Sequence, residues 1–181
     1  MLAYTEEAAP GNTDVWLLPL DDSAHPRPFL RTPFSESAAT FSPDGAWIAY
    51  VSNESGRSEV YVQPYPGPGR KRQISNEGGT SPVWAWGGGE LFYRNGDALM
   101  SVEVSTSPRF SAGAPRLLFR GSYMEPAGTS PSLARPDWPR NYAVSRDGQR
   151  FIMIRGEEEP PTQVHVVLSW LEEVRGRSLP R

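Results

Sequence analysis

The stretch "FSPDGAWIAY", residues 41–50, decides the fold. Proline presets the φ of a first turn corner, aspartate suits the second, and glycine accepts the left-handed conformation that lets the chain reverse. Ser42, Pro43, Asp44 and Gly45 are therefore expected to close a tight hairpin, with Thr40 and Phe41 on the incoming strand and Trp47 to Val51 on the outgoing one. The outgoing strand has no polar face: Trp47, Ala49 and Val51 point one way, Ile48 and Tyr50 the other. Such a strand must be covered on both sides.

The stretch is written twice more, as "WAWGGGELFY" at residues 84–93 and "VSRDGQRFIM" at residues 144–153. Gly45 and Gly88 are 43 residues apart, the spacing of blades in a β-propeller. The second copy replaces the aspartate with Gly87, and the third, Ser145-Arg146-Asp147-Gly148, restores the turn chemistry. It arrives 60 residues after the second, an insertion of about 15 to 20 residues over a usual blade. A second element repeats as well: "DVWLLPL" (14–20) matches "EVYVQPY" (59–65) with Val15/Val60, Trp16/Tyr61 and Pro19/Pro64 paired, and "ALMSVEV" (98–104) and "QVHVVLS" (163–169) are weaker echoes. Each reads as the third strand of a blade. Short outer strands are expected at 27–30, 71–74 and 116–119, where the prolines suit an edge.

The expected fold is all-β: a partial β-propeller of about four antiparallel blades, spanning residues 1–175. The blades fall at residues 1–33, 38–76, 80–121 and 141–170, the first and last incomplete. A long inter-blade loop covers 122–140 and a tail 176–181. The chain starts inside a blade, because Leu2-Ala3-Tyr4 aligns with Ile48-Ala49-Tyr50. Ser169-Trp170-Leu171-Glu172 has capping-box spacing, and a short helix is expected to close the chain before Gly176.

The 19 prolines and 17 glycines punctuate short apolar runs throughout the 181 residues, and 38% hydrophobic with 22% charged content is that of a globular protein. A net charge of −3 provides no positive field to gather phosphate backbones, so nucleic acid is not an expected partner. The one basic run, Arg70-Lys71-Arg72, reads as a solvated strand edge. The absence of cysteine removes disulfides, thiolate metal sites and thiol catalysis together. No segment approaches 18 consecutive apolar residues, so this chain is not expected to insert into a membrane, and it carries no export signal.

The S-x-D-G hairpin followed by an aromatic strand resembles the WD40-like (PD40) propeller repeats of the TolB type. More narrowly, residues 41–69, 73–86, 90–94 and 163–174 resemble the C-terminal propeller of bacterial serine/threonine protein kinases. That resemblance implies a non-catalytic interaction or sensing module, the C-terminal part of a larger receptor, placed extracytoplasmically. It implies a protein or peptide partner. The alternatives are an accessory propeller of a prolyl-oligopeptidase-like hydrolase and a TolB-type periplasmic protein-binding propeller. The family's complete propellers have more blades, so exposed blade edges could also pair between two copies.

Chemistry in the chain itself is sparse. There is no G-x-G-x-x-G loop, V-A-I-K lysine, H-R-D, D-F-G or G-x-S-x-G. His25 sits in a turn-rich segment beside Asp21 and Asp22, and His165 on an apolar run; neither forms a metal or catalytic set. Asp44 and Asp147 lack the further oxygen ligands of a calcium loop and read as turn residues. No catalytic residue, metal or cofactor is expected, and any kinase or hydrolase domain would lie outside these residues. The one stretch that breaks the repeat offers interface-type side chains, Tyr123, Met124, Arg135, Asp137, Trp138 and Arg140, as a candidate partner-binding loop, set against the plain reading of a Pro-rich insertion.

Overall fold

The computed structural model describes residues 1–21, 25–67, 69–107, 109–123 and 141–154. Met124, Arg135, Asp137, Trp138 and Arg140, the last blade's third strand, His165 and the expected C-terminal helix lie outside them.

Among the described residues, four antiparallel sheets follow one another along the chain. The first contains β1 (Leu2–Ala9), β2 (Asn12–Leu18) and β3 (Arg27–Leu30) in that order. The second runs β4 (Glu36–Phe41), β5 (Trp47–Ser52), β6 (Glu59–Pro64), β7 (Arg72–Gln73). In the third, β8 (Thr80–Trp84), β9 (Glu90–Asn95) and β10 (Ala98–Ser105) are followed by β11 (Ser111–Ala112) and β12 (Arg116–Arg120), both paired to β10. The fourth pairs β13 (Tyr142–Val144) with β14 (Phe151–Met153). The described residues contain no helix. Among the described residues this is the all-β partial propeller expected from the repeat, its sheets open rather than closed into a ring. One detail was not anticipated: β10, at 8 residues, is longer than a single outer strand covers. Its first half pairs β12, and its last two residues pair β11.

The three inner hairpins share one turn. In the first, Ser42 N–H donates to the Trp47 carbonyl at 2.8 Å and Gly45 N–H to the Ser42 carbonyl at 2.9 Å. Ala85/Glu90 with Gly88, and Ser145/Arg150 with Gly148, repeat both bonds at 2.8 and 2.9 Å. The glycines hold φ of +71°, +74° and +71°, where a side chain would be strained. In the first and third, the serine hydroxyl donates to the aspartate Oδ1 at 2.5 Å, and the same carboxylate accepts the N–H of Ala46 or Gln149 at 3.0 Å. The middle copy lacks both side chains and keeps the backbone bonds, so glycine carries the turn and serine and aspartate brace it.

Stacking supplies the core. Ile48, Tyr50 and Tyr61 pack against Leu17 of the first sheet, while Ala49, Val51, Val60 and Val62 on the opposite face pack against Leu91, Tyr93 and Val102 of the third. Phe92 and Leu99 continue the pattern toward Tyr142 of the fourth. Inner strands β4 and β8 each bulge at the same place, with Ala38 at φ 52° and Ser81 at φ 50°. The next blade reaches into these regions: the Trp84 indole N–H donates to the Thr40 carbonyl at 3.2 Å, and the Tyr142 hydroxyl to the Ser81 carbonyl at 2.8 Å.

The Ser42 hydroxyl, with the Ala46 N–H, holds the Asp44 carboxyl below its ordinary value of 3.8 against the opposing effect of burial. A folded pKa below the unfolded one contributes stability above that unfolded value and loses it as pH falls through the folded pKa. Asp44→Asn should therefore lower the urea midpoint at pH 7 and flatten its decline below pH 4. An unchanged acid limb would show that the turn carboxylate does not contribute.

Candidate functional site

With both faces of the inner blades buried, side chains available to a ligand lie at the strand ends. The hairpin turns at 42–47, 85–90 and 145–150 gather at one end. Pro43 lies beside the second turn, its Cδ 3.9 Å from where a side chain at Gly88 would begin. Across the next junction, the Arg146 guanidinium sits 4.5 Å above the Trp86 ring. Pro43, Trp86 and Arg146 occupy the same position of successive turns, so neighbouring blades present proline, tryptophan and arginine in a row. Trp86 is 63% exposed, although an aromatic of its size is usually buried. It is supported by a cation rather than sheltered by a core.

Charge around this row is mixed. Asp44 and Asp147 are exposed and ionised, each held below the usual carboxylate range first by the serine hydroxyl of its own turn. Arg150 pairs with Asp147 at 3.3 Å. Trp47, under the first turn, is not available: its indole donates to the Thr106 carbonyl at 3.3 Å and its ring meets Phe110 at 4.9 Å. A surface aromatic with an arginine over its face, flanked by turn carboxylates, has the side-chain composition of interface hot spots.

Of the loop residues singled out from sequence, Tyr123 is the one described, and it lies at the opposite end of the third blade from Trp86. Its ring packs edge-on against Phe119 at 6.0 Å, with the Arg94 guanidinium 5.8 Å from the ring centre. It serves the blade as a half-buried cover. The turn residues Ser42, Pro43, Asp44, Gly45, Ser145, Asp147 and Gly148 stand in the hairpins described above. His25 is exposed, and no group of three or more His, Cys, Asp or Glu side chains is arranged to hold a metal ion among the described residues. Burial pushes the Tyr93 hydroxyl up to about 12 and raises Tyr50 and Tyr61 too, which removes them from proton transfer near neutrality. Lys71 of the basic run is engaged with Glu54 and lies 5.6 Å from the Tyr61 ring centre.

Trp86 and Arg146 were missed because each was read only as a member of a turn. The usable signal was alignment of the three hairpins, which puts a large aromatic at a corner that polar residues normally take.

The chain is 40% identical over 57 residues to the Tol-Pal system protein TolB of Thioalkalivibrio sulfidiphilus (strain HL-EbGR7), a match covering 32% of this chain and 13% of that protein. Among solved structures, TolB from Acinetobacter baumannii superposes with a TM-score of 0.48 and 14% identity, over 66% of this chain and 30% of that one. The match therefore spans a small part of each relative's length. No protein-family profile matches the chain. Among the described residues, no helix is long and apolar enough to cross a membrane.

Trp84 and Trp86 stand two residues apart with opposite roles. Trp84→Ala, at 7% exposure, should cost about 3–5 kcal/mol. Trp86→Ala should stay within about 0.5 kcal/mol. Urea unfolding of both variants measures this, and comparable losses would mean that Trp86 is part of the core.

Proposed function

We propose that this chain is a non-catalytic propeller module that binds a protein partner through the end of the blades bearing the inner hairpin turns. The observation that carries the reading is the exposed Trp86 beneath Arg146, aligned with Pro43 on the neighbouring turn. Aromatic and arginine side chains dominate interface hot spots, and these two stand on short turns fixed by backbone hydrogen bonds, so little side-chain and loop entropy is lost on binding. The local identity to a Tol-Pal system protein supports a TolB-type, periplasmic reading, with a component of a Tol-Pal-type system as the partner.

The kinase-receptor and hydrolase-accessory contexts rest on sequence resemblance alone. They are separable from the TolB reading by the coding sequence upstream: kinase motifs there would favour a receptor, an adjacent α/β-hydrolase domain an accessory propeller, and further propeller repeats with neither enzyme domain a TolB-type protein.

Titrating the purified chain with the soluble Tol and Pal proteins encoded by the same genome tests the proposal. Binding in the micromolar range or tighter is expected, with Trp86→Ala and Arg146→Ala each weakening it by about tenfold or more and leaving the melting temperature in place. No binding to either protein, or full affinity in both variants, would defeat the assignment.

A further inference from the structure

The blades repeat closely enough that one junction can be read against the next. Where the second sheet meets the third, Glu59 is buried at 1% exposure and fully satisfied. Its Oε1 accepts the Gly78 N–H at 2.9 Å and lies 3.4 Å from Arg57 Nε, and its Oε2 takes the Ser75 hydroxyl. Charge is balanced there, one arginine to one carboxylate. The neighbouring Gly79 has no room for a side chain, since a Cβ would lie 2.4 Å from Ser75 Oγ.

The same positions one junction earlier are occupied differently. Strand register places Asp14 where Glu59 stands, Asn12 where Arg57 stands and Glu36 where Gly79 stands. The cation has become neutral and a second carboxylate has been added. Asp14 and Glu36 are 2% and 1% exposed. Thr13 ties the two segments together, its hydroxyl donating to the Glu36 carbonyl at 2.8 Å. Glu36 Oε1 accepts Thr32 at 2.5 Å and Ser52 at 3.3 Å. Among the described residues, three buried oxygens here are left without a hydrogen-bond partner: Asn12 Oδ1, Asp14 Oδ1 and Glu36 Oε2. Among the same residues, Asp14 Oδ2 has only Arg31, 3.7 Å away on a side chain that is 70% exposed. Glu6 lies across the strand from Asp14, and Glu54, itself engaged with Lys71, lies toward Glu36.

Burying two carboxylates with unpaired oxygens is costly unless a positive charge joins them or one of them takes up a proton. The geometry points to a hard divalent cation of the calcium type, bound at the junction of the first and second blades by Asn12, Asp14 and Glu36 in place of the arginine that serves the next junction. An irregular set of carboxylate and amide oxygens, completed by water, suits calcium better than magnesium, which demands a regular octahedron and keeps its own waters.

The test uses the full chain after EDTA treatment and dialysis, titrated with CaCl₂ or MgCl₂ and followed by calorimetry and thermal unfolding. Calcium at about a hundredfold over its Kd should raise the melting temperature by about 5–10 °C, with magnesium giving less. Glu36→Gln should weaken calcium binding at least tenfold. Asn12→Arg supplies the missing cation from the chain itself, so it should abolish the calcium response while keeping or raising the metal-free melting temperature. The two variants act on different residues, so misfolding of one leaves the other to decide. No calcium-dependent heat or shift in the wild type would overturn the proposal, with Glu36 then carrying a proton instead. A response preserved in a folded variant of either kind would place the cation elsewhere and overturn it as well.

Discussion

Strand β5 is buried on both of its faces, with Ile48 and Tyr50 committed to the first sheet and Ala49 and Val51 to the third. A small sheet of this kind has no solvent side and exists only between two others, so inter-blade stacking is the constraint on which everything else rests. It explains why β4 and β8 both keep a left-handed, non-glycine residue at the same register. Such a residue costs roughly 1–2 kcal/mol. The Ser81 bulge takes that residue out of the register and its carbonyl accepts the Tyr142 phenol, while the Trp84 indole bonds the carbonyl of Thr40 at the edge of the Ala38 bulge. Strain within one sheet is offset by bonding between two.

What could be read from sequence divides along the same line. The hairpins were legible because their signal is local: glycine three positions after the turn's first residue fixes the reversal, and doubly apolar strands after it demand neighbours. The middle turn was readable even without serine and aspartate, because backbone hydrogen bonds alone maintain it. The bulges at Ala38 and Ser81 were not legible, since alanine and serine carry no preference for that conformation and are driven into it by the pairing on either side. Strand β11 escaped for a similar reason, being a two-residue pairing set by the length of β10. The buried acids Asp14, Glu36 and Glu59 were passed over because a carboxylate near a turn reads as solvated, and only the stacking of the next blade encloses it.

The candidate site follows from geometry that sequence spacing does not reveal. A break in the repeat drew attention to residues 122–140, yet Tyr123 is spent on Phe119 and the third blade. Trp86, two positions from a core tryptophan and easily taken for one, points out of the fold because it stands at a turn corner. Residues 60 apart in the chain, Trp86 and Arg146, meet only because blades place equivalent turns side by side. A propeller thereby builds a composite surface from positions that are individually unconstrained, and substitutions there leave the core untouched.

Edges impose the remaining constraint. Among the described residues β1 pairs only with β2, leaving one side of an eight-residue strand open. Glu6 and Glu7 lie exposed along it. If two copies paired antiparallel about a twofold centred on this strand, four carboxylates would crowd around the axis, and like charges facing one another destabilise such pairings. The same acidic end of the first blade carries Asp14, so negative charge accumulates where this junction departs from the next one. Repetition fixes the apolar faces, and departures from it are tolerated only at strand ends and turns, which is where both the exposed aromatic and the unbalanced carboxylates are found.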